Sequence, residues 1–216
     1  MNAPIPPDLK EKVLLAVANT PSKTRAQARW RAAGYTFLAA IPMLALLFLA
    51  GGPGRSSGRP RVMTLAILLG CLVISVLSTW IASARTRWML GHGRALMHFV
   101  AFGMPILYTA WISAFYPLYE PPFERLGIRC FFVALASAPW PFMAMAMWRK
   151  LIEPHQPSLL GGVFGAVAGM WAGLVVVLFC PLTDPGHVAR GHLLPFVVLI
   201  AAGALLGKRL FAVSSS

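Results

Sequence analysis

The sequence predicts an all-α, polytopic integral membrane protein, a bundle of six transmembrane helices preceded by a short cytoplasmic helical segment. Hydrophobic residues fill 58% of the 216 positions, charged residues fill only 12%, and the apolar residues are gathered in long runs. An ordinary soluble domain carries about 25% charged residues. A soluble fold of this length would therefore have too little charge to keep its surface hydrated.

Each apolar run approaches the roughly 20 residues that a transmembrane helix needs. At about 1.5 Å per residue, 22 residues span about 33 Å, which crosses the hydrocarbon core. Charged residues, Gly and Pro separate the runs. The predicted transmembrane domain, residues 34–213, comprises spans at about 34–51, 62–84, 95–117, 126–148, 158–179 and 193–213.

The distribution of Lys and Arg predicts the orientation of the bundle. With the amino terminus inside, the inner segments hold thirteen of these residues and the outer loops hold five. The first outer loop breaks the rule locally with Arg55, Arg59 and Arg61. We therefore expect both termini in the cytoplasm. The net charge of +13 does not indicate direct nucleic-acid binding, because the basic residues flank apolar runs instead of clustering on one domain.

Glycines spaced by four stack on one face of a helix and let another backbone approach closely. The fifth and sixth predicted spans both contain such rows, so we expect these two helices to form a tight pair. A homodimer through the same row is the alternative. The glycines in question are Gly161, Gly165, Gly169 and Gly173 in the fifth span, and Gly203 and Gly207 in the sixth.

Groups that usually mark catalysis or transport are missing from the predicted spans. None of the spans contains Asp or Glu, which disfavours a transporter. His98 alone among the histidines lies in a span, whereas a haem needs axial ligands at matched depth. No zinc-protease, Ser–His–Asp or phosphate-loop motif is present. We therefore expect no enzyme activity, no cofactor and no metal.

Residues 1–33 form the only sizeable segment outside the predicted spans. A helix predicted to start near Pro6-Pro7-Asp8 places Leu9, Val13, Leu14 and Val17 along an apolar side. Two interpretations remain open: the helix lies on anionic lipid, or it docks into the groove of a soluble partner.

The carboxy-terminal third resembles the NrsF-type membrane anti-sigma factors. In that family a glycine-rich fifth span opens after a Pro-Ser turn and ends in Cys-Pro, and the last span closes in a Gly-[Lys/Arg]-Arg pattern. This chain has Pro157-Ser158, Cys180-Pro181 and Gly207-Lys208-Arg209 at those places. Residues 1–33 also resemble the tails of myxobacterial members, including the light-response anti-sigma factor CarR. One departure is Phe179, because many members have a histidine before the cysteine.

The resemblance implies a function. Residues 1–33 would hold an extracytoplasmic-function sigma factor at the bacterial inner membrane and release it on a stress signal. The alternative is a small transporter or channel subunit whose amino-terminal tail only binds the lipid bilayer.

Two of the three cysteines are candidates for a redox sensor. Cys130 and Cys180 fall at the outer ends of the fourth and fifth predicted spans, and outward-facing cysteines are implied by the resemblance to sense stress. A disulfide requires their Cα atoms within about 7 Å. The alternative is that both cysteines, like Cys71, are small apolar packing residues. His187 and His192 share the last outer loop with Asp184, and we expect these spaced loop histidines to be solvated instead of holding a metal.

Overall fold

The computed structural model describes Trp30, Gly34, Ile41 and residues 60–82, 93–116, 127–149, 156–180 and 182–211. The predicted sigma-binding side of the tail and nearly all of the first predicted span therefore lie outside the described residues.

The described residues form eight α-helices and two π turns. Each π turn continues directly into the helix that follows it, so some short helices join into longer rods. In chain order the elements are α1 (Arg61–Ala82), α2 (Arg94–His98), a π turn (Phe99–Gly103), α3 (Met104–Ser113), α4 (Ile128–Ser137), α5 (Pro139–Arg149), α6 (Pro157–Phe179), α7 (Pro185–Val188), a second π turn (Ala189–Leu193) and α8 (Leu194–Phe211).

Five helical segments are long and apolar enough to cross a membrane. They are Val62–Ala82, Ala95–Ser113, Ile128–Met147, Pro157–Phe179 and Pro185–Phe211.

The last of these segments differs most from the prediction. It begins at Pro185 instead of residue 193, because Asp184 caps the helix and Pro185 occupies the first turn. Most of the predicted last outer loop is therefore helical.

α6 is the centre of the bundle and is buried over most of its length. α8 packs along it, and α1, α4 and α5 pack on its other sides. The backbones of α6 and α8 touch where Gly161 meets the carbonyl of Gly203 and where Gly165 meets that of Leu199. Farther along α6, Gly169 faces the ring of Phe196.

The last glycine of the row on α6 faces a different helix. A Cβ built on Gly173 would lie 2.9 Å from the Tyr108 hydroxyl of α3. Along the length of α6, the four glycines of the row are therefore covered by α8 and then by α3 of the same chain.

α1 joins α6 through polar groups as well as apolar ones. Trp171 Nε1 donates a hydrogen bond to Thr79 Oγ1 at 2.9 Å. The Thr79 hydroxyl donates in turn to the Ser75 carbonyl one turn earlier, at 2.8 Å. Ser75 and Thr79 are fully buried, and hydroxyls that bond within their own helix satisfy themselves without water.

Large apolar side chains are also spread over the outside of the bundle. Leu65, Leu69 and Val73 of α1 are more than half exposed, as are Phe102 and Ile106. Exposed apolar patches on soluble monomers rarely exceed a few hundred Å², so this surface is compatible with lipid and poorly suited to water.

The α6–α8 pair has two chemically distinct ends. At the basic end, Gly207 meets the carbonyl of Pro157, and Lys208 and Arg209 follow in the last turn of α8. At the cysteine end, α6 ends at Cys180 beside the start of α4 and the start of α7.

Candidate functional site at the cysteine end

Four side chains that can each offer a metal-ligating atom meet at the cysteine end. The ligand atoms of Cys130, Cys180, His187 and His192 all lie within 4.8 Å of one another. Cys130 is half-buried and the other three are buried. We refer to these four residues as the Cys–His cluster.

The cluster is assembled from three separate stretches of the chain, one of which contains both α7 and the π turn after it. Cys130 lies in the first turn of α4, and Cys180 is the residue that follows α6. His187 lies in α7, and His192 lies in the π turn after it. Their convergence therefore depends on how these three helix ends are held together.

The first device is a cap at the start of α7. The Asp184 carboxylate accepts a hydrogen bond from the His187 backbone N–H at 2.8 Å. The neighbouring Leu182 and Thr183 are buried, at 2% and 0% exposed. The link from α6 to α7 is thus packed against the bundle, and the cap fixes the backbone of His187.

The second device is the π turn. The Leu194 N–H donates to the Ala189 carbonyl five residues earlier, which is the π pattern. On a regular α-helix, residues five apart point about 140° away from each other. The wider turn reduces that angle, and the rings of His187 and His192 have their centroids 5.7 Å apart.

The third device is a contact between two glycines. Gly127 precedes α4 with φ of 79°, a left-handed conformation that favours glycine. A Cβ built on Gly127 would lie 2.9 Å from the Gly191 nitrogen, and one built on Gly191 would lie 3.2 Å from the Cβ of Cys130. The π turn can therefore approach the first turn of α4 only because both residues lack side chains.

His187 lies between the two thiols. Its Nε2 is 3.0 Å from Cys180 Sγ and 3.5 Å from Cys130 Sγ. The interaction with Cys130 lowers the pKa of the Cys180 thiol far below its usual value, with smaller contributions from the nearby His187 and His192 and against the opposing effect of burial. A thiol of this kind is a good ligand and a good nucleophile, because the thiolate is the reactive form.

His192 is the most unusual residue of the cluster. Its side chain is only 4% exposed, yet neither ring nitrogen has a hydrogen-bond partner among the described residues. Leaving a buried polar group unpaired costs about 1–3 kcal/mol. The two cysteines beside it pack against the apolar residues Ala134, Val176 and Leu182.

The structure brings the two predicted sensor cysteines together and leaves the third apart. Cys130 and Cys180 belong to the cluster, whereas Cys71 is buried among Ile67, Tyr108 and Met170 in the core. None of the three forms a disulfide. A redox role for the pair stays a prediction, and so does the partner-binding role of Leu9, Val13, Leu14 and Val17, which lie outside the described residues.

The expectation for the two histidines was wrong. His187 and His192 are not solvated loop residues, since they are 2% and 4% exposed, and Asp184 is a helix cap instead of a companion ligand. The sequence did contain a usable signal. Asp followed directly by Pro is a typical helix start, and extending the helix back to Pro185 removes the loop from which solvation was inferred.

The comparisons with known proteins agree with the resemblance read from the sequence. Residues 120–212 match the family model NrsF, described as negative regulator of sigma F. The comparisons with curated proteins and with solved structures found no match. The matched stretch contains all four residues of the Cys–His cluster.

Proposed function

We propose that this protein is a membrane-bound anti-sigma factor that sequesters an extracytoplasmic-function sigma factor at the bacterial inner membrane and releases it on a stress signal. The observation that carries the proposal is the match of residues 120–212 to the negative regulators of sigma F. Five helices that are long and apolar enough to cross a membrane suit a regulator anchored in the bilayer.

The amino-terminal tail is the proposed sigma-binding element. Its apolar residues Leu9, Val13, Leu14 and Val17 need a surface to cover them, because a segment of this length rarely folds unaided. The tail is basic, so burial of these side chains has to supply the binding energy. Acidic mimicry of DNA is not available to it.

One contact supports a cytoplasmic position for the tail. Trp30, just before the first predicted span, packs edge-on against Trp80 of α1 with ring centroids 5.1 Å apart. Trp80 lies near the end of α1, shortly before Arg85 and Arg87. Basic flanks of this kind face the cytoplasm.

The Cys–His cluster is the proposed sensor. Hydrogen peroxide can oxidise the thiols of Cys130 and Cys180 to a disulfide: both sulfurs lose their hydrogens, one S–S bond forms, the O–O bond breaks and two waters leave. The two sulfur atoms are within 4.8 Å and a disulfide needs about 2.05 Å. Closing that gap would pull the start of α4 toward the end of α6 and so change the bundle.

The sigma-binding step is tested by capture. The chain in detergent is mixed with extracytoplasmic-function sigma factors of the same bacterium, as wild type, as Val13→Asp and as Leu15→Asp. At about 100° per residue, Leu15 lies roughly 100° or more from every residue of the apolar side on the predicted tail helix. Val13→Asp should reduce capture at least tenfold, and Leu15→Asp should leave it close to wild type.

If the wild-type chain captures no sigma factor, the anti-sigma proposal is wrong and the transporter or channel alternative takes its place. An equal loss of sigma-factor capture in both variants would show that the apolar side of the tail is not the binding element.

The sensing step is tested in cells with a reporter for the sigma factor. Peroxide should induce the reporter in wild type and in Cys71→Ser, and should fail to induce it in Cys180→Ser and Cys130→Ser. An unchanged peroxide response in Cys180→Ser would rule out the disulfide as the signal.

A further inference from the structure

We propose that Cys130, Cys180, His187 and His192 form a tetrahedral binding site for a divalent d¹⁰ cation, with Zn²⁺ as the natural occupant. The inference goes beyond the anti-sigma function, because the site is defined by these four side chains whether or not a sigma factor binds.

The donor set is the first argument. Two cysteine sulfurs and two imidazole nitrogens are the ligands of tetrahedral structural zinc sites. Sulfur and imidazole donors in this geometry disfavour Mg²⁺ and Ca²⁺, which prefer oxygen ligands. All four positions are filled by the protein, which is the arrangement of a structural or sensory site and leaves no place for a substrate.

The distances are the second argument. With Zn–S near 2.3 Å and Zn–N near 2.0–2.1 Å, the ligand atoms of a tetrahedral site lie about 3.3–3.8 Å apart. The His187 Nε2 atom is already 3.0 Å and 3.5 Å from the two sulfurs, and every pair in the cluster is within 4.8 Å. Shifts of about 1 Å, which side-chain rotation can supply, would complete the geometry.

The unsatisfied histidine is the third argument and is independent of the spacing. Among the described residues, His192 is buried with both ring nitrogens unpaired. A metal bond would use one of these nitrogens and remove part of the cost of burying the ring. Packing alone gives no reason to place an imidazole there.

Charge balance is the fourth argument. Two thiolates and two neutral imidazoles around one Zn²⁺ sum to zero, so the loaded site carries no net charge into an apolar environment. Ala134, Val176 and Leu182, which pack with the two cysteines, would limit the access of solvent to such a centre.

A cation bound here would tie together the beginning of α4, the end of α6 and the α7–π segment. Since the ligands come from three elements, loss of the ion would loosen all three at once. The same sulfurs serve the proposed redox sensor, so zinc and the disulfide are mutually exclusive states of one site.

The test measures metal on the full-length chain, purified in detergent with its affinity tag removed, under reducing conditions and without chelator. Elemental analysis should find one zinc per chain in wild type and in the Cys71→Ser control. Cys180→Ser and His192→Gln should each lose most of it. Replacement by Co²⁺ should give the visible bands of tetrahedral cobalt together with a thiolate-to-cobalt charge-transfer band, which report the ligands directly.

Two results would overturn the proposal. One is a reduced wild-type protein that retains no zinc after incubation with excess Zn²⁺ and gel filtration. The other is zinc retained equally in Cys180→Ser and His192→Gln, which would mean adventitious binding elsewhere.

The thermal unfolding of each variant is compared with that of wild type stripped of metal, so a misfolded variant is recognised. Sigma-factor capture is scored separately: zinc with no capture refutes the anti-sigma function alone, and capture with no zinc refutes only the metal site.

Discussion

The basic end and the cysteine end of the α6–α8 pair are held together by different means. At the basic end the two backbones touch directly, glycine against carbonyl, at Gly161 with Gly203 and at Gly207 with Pro157. At the cysteine end the helices are joined through a cap, a π turn and four polar side chains. One end is fixed by shape and the other by groups that can react or bind.

This difference indicates a division of labour along one pair of helices. A contact between two backbones has one geometry and no alternative protonation, oxidation or metal-bound state. It can therefore act as a fixed point of the helix pair, and we call the backbone contact at the basic end the pivot. A cluster of thiols and imidazoles has several states, including reduced, oxidised and metal-bound, so it suits a switch. Under the proposed oxidation or metal binding, the bundle would change at its cysteine end while the basic end would stay in register.

The largest effect is expected from a methyl group at the pivot. Gly161→Ala places a Cβ against the Gly203 carbonyl, and because neither backbone can move aside, we expect a loss of about 3 kcal/mol or more in unfolding free energy. The control is the adjacent Gly162→Ala, whose Cβ would meet atoms of Ile200 at 3.6 Å, an ordinary contact. Denaturant unfolding in detergent should find Gly162→Ala equal to wild type or slightly more stable, since alanine is the better helix former.

Similar stabilities for the two alanine variants would show that the backbones do not touch at Gly161, and the pivot would have to be abandoned.

A smaller effect is expected at the glycine contact of the cysteine end. Gly127→Ala forces a left-handed conformation on alanine, which costs about 1–2 kcal/mol, and its Cβ would lie 2.9 Å from the Gly191 nitrogen. The expected result is a folded protein with a displaced π turn. It should show reduced zinc content and slower peroxide-driven disulfide formation, measured by elemental analysis and by thiol labelling.

The control for Gly127→Ala is Gly162→Ala at the basic end. Its Cβ would meet atoms of Ile200 at 3.6 Å, an ordinary contact, and it touches no residue of the cluster or of the cap on α7. If Gly127→Ala keeps full zinc and normal oxidation, the contact with Gly191 does not position the cluster.

The two ends also differ in how far the sequence predicts them. The close approach of the two backbones can be predicted from glycine spacing alone, because a four-residue period on a helix is a local property. The glycines with this spacing are Gly161, Gly165, Gly203 and Gly207. The helical class and five of the spans follow from apolar run length for the same reason. Run length alone cannot indicate which helix becomes the centre, although α6 does differ from its neighbours by its five glycines.

The cysteine end could be predicted only in part. The placement of Cys130 and Cys180 at one end of the bundle follows from the alternating direction of successive helices, but their meeting with His187 and His192 depends on a π turn and on one left-handed glycine. A π turn leaves no clear mark in the sequence, and Gly127 is one glycine among nineteen. A segment that contains Asp, His and Arg resembles a polar loop in sequence. It can still be helical when a capping residue such as Asp184 starts the helix before the apolar run begins.

The smallest effect is expected from the cap itself. Asp184→Ala removes the acceptor for the His187 N–H and should cost about 1 kcal/mol. Asn is an equally good cap, so Asp184→Asn should restore the stability that alanine loses.

The same pair of variants separates two roles for the Asp184 carboxylate. If Asp184 only holds the backbone of His187, zinc retention falls modestly in Asp184→Ala and is normal in Asp184→Asn. If instead both variants lose zinc equally, the charge of Asp184 matters to the site, and the four-residue ligand set would need revision. Competition with a chromogenic zinc chelator measures this, since small affinity differences appear as shifts in the chelator concentration that removes half of the metal.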